Sequence, residues 1–184
     1  MIIWQEKLKQ HISENNDLMA DLRLVRSLEL PQCYIAAGYI RNYVWDLLHG
    51  YDYRSEHSDI DVVYYDPDDC SESRDLEVEQ YLIQTTSCSK WSVKNQARMH
   101  VRNHDEPYPS TWGAISKWPE TATAVGARIN ASDELEICAP YGLEDLFGLL
   151  VRRCPLFDDK DYFMKRFDQK KWLEKWPMLK VICD

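Results

Sequence analysis

Apolar residues recur at roughly three- and four-residue intervals through the start of the chain: Ile3, Leu8, Ile12, Leu18, Leu22, Val25 and Leu28. That rhythm puts them on one face of a helix. The polar run Ser13–Asp17 interrupts it, so the pattern predicts two helices within residues 2–29, with a cap between them and Pro31 as the close. Cys33–Ala37 (CYIAA) is short, apolar and partly β-branched, which predicts a strand ended by Gly38. Tyr39–His49 predicts a helix stopped at Gly50. A polar loop to Ser58 leads into Asp59–Tyr65 (DIDVVYY), the strongest strand pattern in the chain.

Beyond it, Asp66–Ser73 predicts a loop and Asp75–Thr85 a short helix. Trp91–His100 (WSVKNQARMH) starts as an extended segment, a polar loop follows at Arg102–Pro109, and Ser110–Trp118 predicts a short helix. Thr121–Ile129 and Glu134–Cys138, joined by a turn-like Asn130–Asp133, predict a β-hairpin. Gly142–Val151 and Asp158–Trp176 predict two further helices. Helices alternating with short strands, plus a late hairpin, predict an α+β fold: a small mixed sheet flanked by helices. The length of 184 residues fits one domain, with N-terminal helices over 1–30, a core over about 31–151 and a helical tail over 152–184.

Composition narrows the partners. The net charge of −9 argues against a protein that coats duplex DNA, since that affinity comes from clustered Lys and Arg. No apolar run approaches the roughly 20 residues of a membrane span. MIIWQEKLKQ turns polar too soon for a secretory signal, so the expected compartment is the cytoplasm. The six cysteines form no CxxC pair and match no zinc template; each reads as a small hydrophobe.

One stretch carries chemistry. Side chains alternate along a strand, so Asp59 and Asp61 point to one side while Ile60 and Val62 point into the core. Two carboxylates held side by side repel, and the pair calls for a cation. Mg²⁺, bound through one or two carboxylates together with substrate phosphates, suits it. Upstream, Gly38 ends a strand and opens a helix. A helix N-terminus presents backbone N–H groups to phosphate, and a glycine lets the phosphate approach. Arg41, on the first turn, supplies a charged donor.

On these residues the chain resembles the nucleotidyltransferase superfamily of DNA polymerase β, poly(A) polymerases and CCA-adding enzymes. AAGYIRNYVWDLLHG resembles the segment that opens the CCA-adding head domain, SDIDVVYY its DxD strand, and TATAVGARINASDELEICAP the hairpin carrying a third carboxylate. The resemblance implies Asp59, Asp61 and Glu136 as metal ligands for two Mg²⁺ ions and Gly38 as the phosphate loop, with Glu134 as rival for the third position. More closely, CYIAAGYIRNYVWDLLHG, SDIDVVYYD, WSVKNQARMH, WPETATAVGARI and APYGLEDLF resemble a small bacterial family of stand-alone nucleotidyltransferase-like proteins. Two departures stand out: Ala37-Gly38 replaces the usual Gly-Gly or Gly-Ser, and Arg41-Asn42 the usual Arg-Asp.

The remaining readings are plainer. Lys94, Gln96, Arg98 and His100 would share a face if WSVKNQARMH stayed extended, and Lys94 and Arg98 would then help hold a nucleotide. Tyr108, Trp112 and Trp118 read as core aromatics, and Arg128 and Glu120 as an exposed pairing. Lys165, Arg166, Lys170, Lys171 and Lys175 read as a solvated basic face of the tail helix. Three functions compete. The first is a Mg-dependent enzyme moving a nucleoside monophosphate from an NTP to a hydroxyl or amine of a small molecule, RNA end or protein. The second is a non-catalytic nucleotide-binding module. The third is a DxD glycosyltransferase, for which the chain is short.

Overall fold

The structure, a computed structural model, describes residues 2–52 and 59–182; most of the loop expected up to Ser58, and Cys183, lie outside the described residues. Two helices open the chain, α1 (Ile2–Glu14) and α2 (Asn16–Arg26), as expected from the interrupted apolar rhythm. Asn15 is the cap between them: its side chain accepts from the backbone N–H of Leu18 at 2.9 Å. Strand β1 (Tyr34–Ala36) feeds α3 (Gly38–His49), which ends on Gly50 in the left-handed conformation that glycine favours at this position. Strand β2 (Ile60–Tyr64) is followed by α4 (Glu72–Thr86) and β3 (Trp91–Asn95), a crossover that makes β2 and β3 parallel.

Short helices α5 (Met99–Asn103) and α6 (Thr111–Ile115) precede the hairpin of β4 (Gly126–Ile129) and β5 (Leu135–Cys138). The sheet order is β3-β2-β1-β4-β5, with β1 antiparallel to both neighbours. On one face Ile35, Ile60, Val62, Val93, Ala127 and Ile137 pack with the buried residues of α1 to α3. On the other, Tyr34, Ala36, Val63 and Cys138 meet Ile115, Ala124 and Cys154. Tyr108 is buried and Trp118 packs on this second cluster, in line with a core role, while Trp112 is exposed.

Four sequence expectations are corrected. The β3 strand stops at Asn95, whose side chain accepts from the N–H of Ala97 and starts a helical turn at Gln96–Arg98. Lys94, Arg98 and His100 therefore share no strand face. Thr121–Ala124 is a turn rather than strand, because Thr123 and Ala124 donate back to the carbonyl of Glu120. The helix expected over Gly142–Val151 shrinks to α7 (Glu144–Phe147), since Leu149 adopts a left-handed backbone and β6 (Leu150–Arg152) begins. The tail divides into α8 (Lys160–Lys170) and α9 (Trp172–Lys175) at a left-handed Lys171, and ends in β7 (Lys180–Ile182), which pairs in parallel with β6. The β6–β7 pair returns the tail to the body of the domain. Trp172 and Trp176 then pack edge-on against Trp45 of α3, with centroids 5.5 and 5.2 Å away.

Candidate active site

The site forms where β1 ends and β2 begins. Ala36 and Asp61 are direct partners across the antiparallel pair, so Asp61 lies beside the Ala37–Gly38 turn. Asp59, two residues earlier and just before β2, lines the same cleft. Ala37 has φ 56° and ψ −128°, a conformation that favours glycine. Its N–H donates to the carbonyl of Val125 and its carbonyl accepts from the N–H of Arg41, and these bonds hold the turn. Here lies a physical reason for a glycine at this position in the superfamily pattern: the turn demands positive φ, and Ala37 bears the strain.

Gly38 opens α3 with its backbone facing the cleft. A Cβ added there would lie 3.6 Å from a terminal nitrogen of Arg41, so the guanidinium folds back over the glycine. Arg41 is 5% exposed. It donates to the Thr123 hydroxyl at 2.6 Å and to the Asn42 side-chain oxygen at 3.1 and 2.8 Å. Its guanidinium lies over the rings of Trp172 and Trp45, at 4.4 and 4.8 Å. Burial pulls its pKa down to about 10, against the pull of Glu120, and it remains a cation at neutral pH.

Asp61 is half-buried. Burial and then the neighbouring Asp59 push its carboxyl up to about 6, while Arg41, Lys170 and Arg166 pull the other way. The cleft is a cavity of about 120 Å³ whose wall includes Gly38, Arg41, Asp59, Asp61, Thr123 and the tail residues Arg166, Lys170, Trp172, Lys175 and Trp176. The basic face of the tail is thus not simply solvated: Arg166 and Lys170, one helical turn apart, look into the carboxylate site. Glu120, read from sequence as exposed, is 1% exposed and accepts from Arg166 Nε at 2.7 Å.

Gly38, Arg41, Asp59 and Asp61 are therefore brought together, and three other expected residues are not. Both oxygens of Glu136 accept from Arg128 at 2.8 Å, and one accepts from the Tyr34 hydroxyl at 2.9 Å. Glu136 lies on β5, three strands from β2, or roughly 14 Å at the usual spacing. Glu134 is exposed at the hairpin turn. The strand positions flanking Asp61 are Ala36 and Ser92, neither of them an acid. Among the described residues no group of three His, Cys, Asp or Glu side chains is placed to hold a metal. Lys94 faces Glu79 at 3.9 Å, and Arg98 is bonded to the buried Asp75 and to Glu72. The one sequence signal for the missed tail residues was the Arg166/Lys170 spacing; nothing local says what that face covers.

A carboxylate pair at the start of a strand, beside a helix opened by glycine in a mixed α+β fold, defines a polymerase-β-type nucleotidyltransferase domain. A sequence-family profile for nucleotidyltransferases matches residues 23–181, and the chain belongs to that family. A solved NMR structure reported to reveal a CCA-adding enzyme head domain is 36% identical, with a TM-score of 0.87 over 97% of this chain and 96% of that one. Structures of a CCA-adding enzyme with CTP and with ATP superpose with TM-scores of 0.56 and 0.58 at 16% and 14% identity, which shows a shared fold. This chain spans 41% and 42% of those longer chains. No curated protein sequence matches it. Among the described residues no helix is long and apolar enough to cross a membrane.

Proposed function

We propose that the protein transfers a nucleoside monophosphate from an NTP to an acceptor hydroxyl or amine, releasing pyrophosphate, with Mg²⁺ held by Asp59 and Asp61. The observation that carries this reading is the shared cleft: the carboxylate of Asp61 on β2 and that of Asp59 just before it, a glycine-opened helix terminus and four cationic side chains line one cavity. The donor set fits a hard cation, because Asp61 is pushed up by burial and by Asp59, and a bound divalent ion offsets both effects. Among the described residues, Asp59 and Asp61 are the two carboxylates that line the cleft. When bound, the ion polarises the α-phosphate and neutralises charge that develops there.

The chain's own residues do the rest. The N-terminus of α3 directs N–H groups at a phosphate, and Gly38 keeps that approach open. Arg41, held by Thr123 and the tryptophan stack, keeps its charge fixed against the leaving phosphates, so little reorganisation is needed as charge builds. Asp61 acts here as an ion ligand: a cation that offsets burial and Asp59 also keeps its carboxylate ionised and occupied, so it is not the base that takes the acceptor proton. Glu136, tied to Arg128 and Tyr34, is not offered as that base. The acceptor is a small molecule, an RNA end or a protein side chain.

A second reading, nucleotide binding without transfer, is favoured by one observation: no acid occupies either strand position flanking Asp61. A mass-spectrometric transfer assay across the four NTPs, with Asp61→Asn as control, tests the first. Labelling that persists undiminished in the variant removes the role of Asp61. Calorimetric binding of a non-hydrolysable NTP, with no turnover under any condition, supports the second.

A further inference from the structure

The tail helices α8 and α9 carry more positive charge into the cleft than its carboxylates require. Arg41, Arg166, Lys170 and Lys175 contribute four cations to its lining, against Asp59 and Asp61. Among the described residues, Glu120 behind the wall brings the local sum to four positive against three negative, in a chain whose net charge is −9. Among the described residues, Arg166 alone of these four cations is hydrogen-bonded to a carboxylate, that of Glu120. Arg41 donates to neutral oxygens. Lys170 and Lys175 form no ion pair or hydrogen bond with any described residue. Burial, then Arg166 and Arg41, pull the Lys170 pKa down, as for an ammonium held among like charges.

Their placement is rigid rather than incidental. The Arg166–Glu120 pair joins α8 to the turn before β4, at a carboxylate that is 1% exposed. Trp176 donates from its indole nitrogen to Asp46 of α3 at 2.7 Å. Trp172 stacks on Arg41 and meets Trp45 edge-on. The helices that carry Lys170 and Lys175 are thus held against the cleft before any ligand arrives. The cavity of about 120 Å³ is well below the ~300–1,000 Å³ typical of a site that encloses a whole small ligand. It suits a chain of phosphates, with a nucleoside left outside.

We infer that α8 and α9 form a polyphosphate grip, in which Lys170 and Lys175 hold the non-transferred phosphates, and that this grip binds inorganic tripolyphosphate without a nucleoside and without a divalent ion. The inference rests on the reading of the cleft as a nucleotide site and specifies which part of the nucleotide the tail recognises. Isothermal titration with inorganic tripolyphosphate in EDTA, at low ionic strength, is the test. Wild type binds, and the affinity falls with added salt as expected for partly exposed charges. Lys170→Ala with Lys175→Ala weakens binding tenfold or more, while its melting temperature stays near wild type because both side chains are exposed. Lys170→Arg in the Lys175→Ala background recovers part of the loss. A double variant that binds tripolyphosphate like wild type overturns the grip, as does a wild type that does not bind it. Tripolyphosphate binding that depends on the two lysines, with no transfer from any NTP, upholds the grip and defeats the transferase reading. Transfer abolished by Asp61→Asn, with no lysine dependence of tripolyphosphate binding, does the reverse.

Discussion

Replacing Asp61 with asparagine should stabilise the metal-free protein while removing its activity. The carboxyl ionises near 3.8 in an unfolded chain and at about 6 in the fold, through burial first and Asp59 second. A gap of about two pKa units corresponds to about 3 kcal/mol at roughly 1.4 kcal/mol per unit. Discounted for the part of the side chain still in water, about 1–3 kcal/mol remains. The sign follows from proton linkage: between pH 4 and 6 the folded state holds a proton that the unfolded state has lost, so wild-type stability falls as pH rises through that window. Above about pH 6 the whole cost is present. Near pH 4 the wild-type carboxyl is neutral in the fold, and the two proteins should melt together. At pH 8 the variant should melt higher, at about 2–4 °C for each kcal/mol in a domain of this size. Mg²⁺ should raise the melting temperature of wild type and leave the variant unchanged. Melting curves at pH 4 and pH 8, with EDTA and with Mg²⁺, provide the measurement. A variant that melts below wild type at pH 8, or a gap of equal size at both pH values, refutes the reasoning.

Ala37→Gly should add about 1 kcal/mol of stability in chemical denaturation, because glycine accepts the positive φ that alanine bears under strain. Trp172→Ala should cost about 3–5 kcal/mol, as removal of a buried ring leaves a cavity, and should also weaken NTP binding in calorimetry by unseating Arg41. Glu136→Gln and Lys94→Ala should leave transfer rates within a fewfold of wild type, since both side chains are engaged away from the cleft. Asp75→Ala should lower stability by about 3–5 kcal/mol in urea titration, because it strips the buried partner from Arg98, leaving it only Glu72, and leaves Tyr64 and the Asn95 N–H unpaired, with Mg²⁺-dependent nucleotide binding retained by the fraction that folds.

What the sequence determined by itself is local and periodic. The cap between the first two helices, the helix after Gly38, the stop at Gly50 and the close spacing of Asp59 and Asp61 all follow from neighbouring residues and backbone geometry. The hairpin was also legible, though not its place in the sheet relative to β2. That place decides the fate of Glu136. The order β2-β1-β4-β5 interposes two strands between it and the DxD pair, and Arg128 on the adjacent strand then claims its charge. WSVKNQARMH shows the same limit at shorter range: Asn95 bonding to the backbone of Ala97 ends the strand that periodicity would have continued. The tail is the clearest case. A stripe of Arg and Lys on a helix reads the same whether water or a carboxylate cleft lies beneath it. Only the packing of Trp172 and Trp176 on Trp45, with the pairing of β6 and β7, turns Arg166, Lys170 and Lys175 toward the site. The Trp45 contacts join residues more than a hundred positions apart, and their free energy depends on surfaces that no local window of sequence contains.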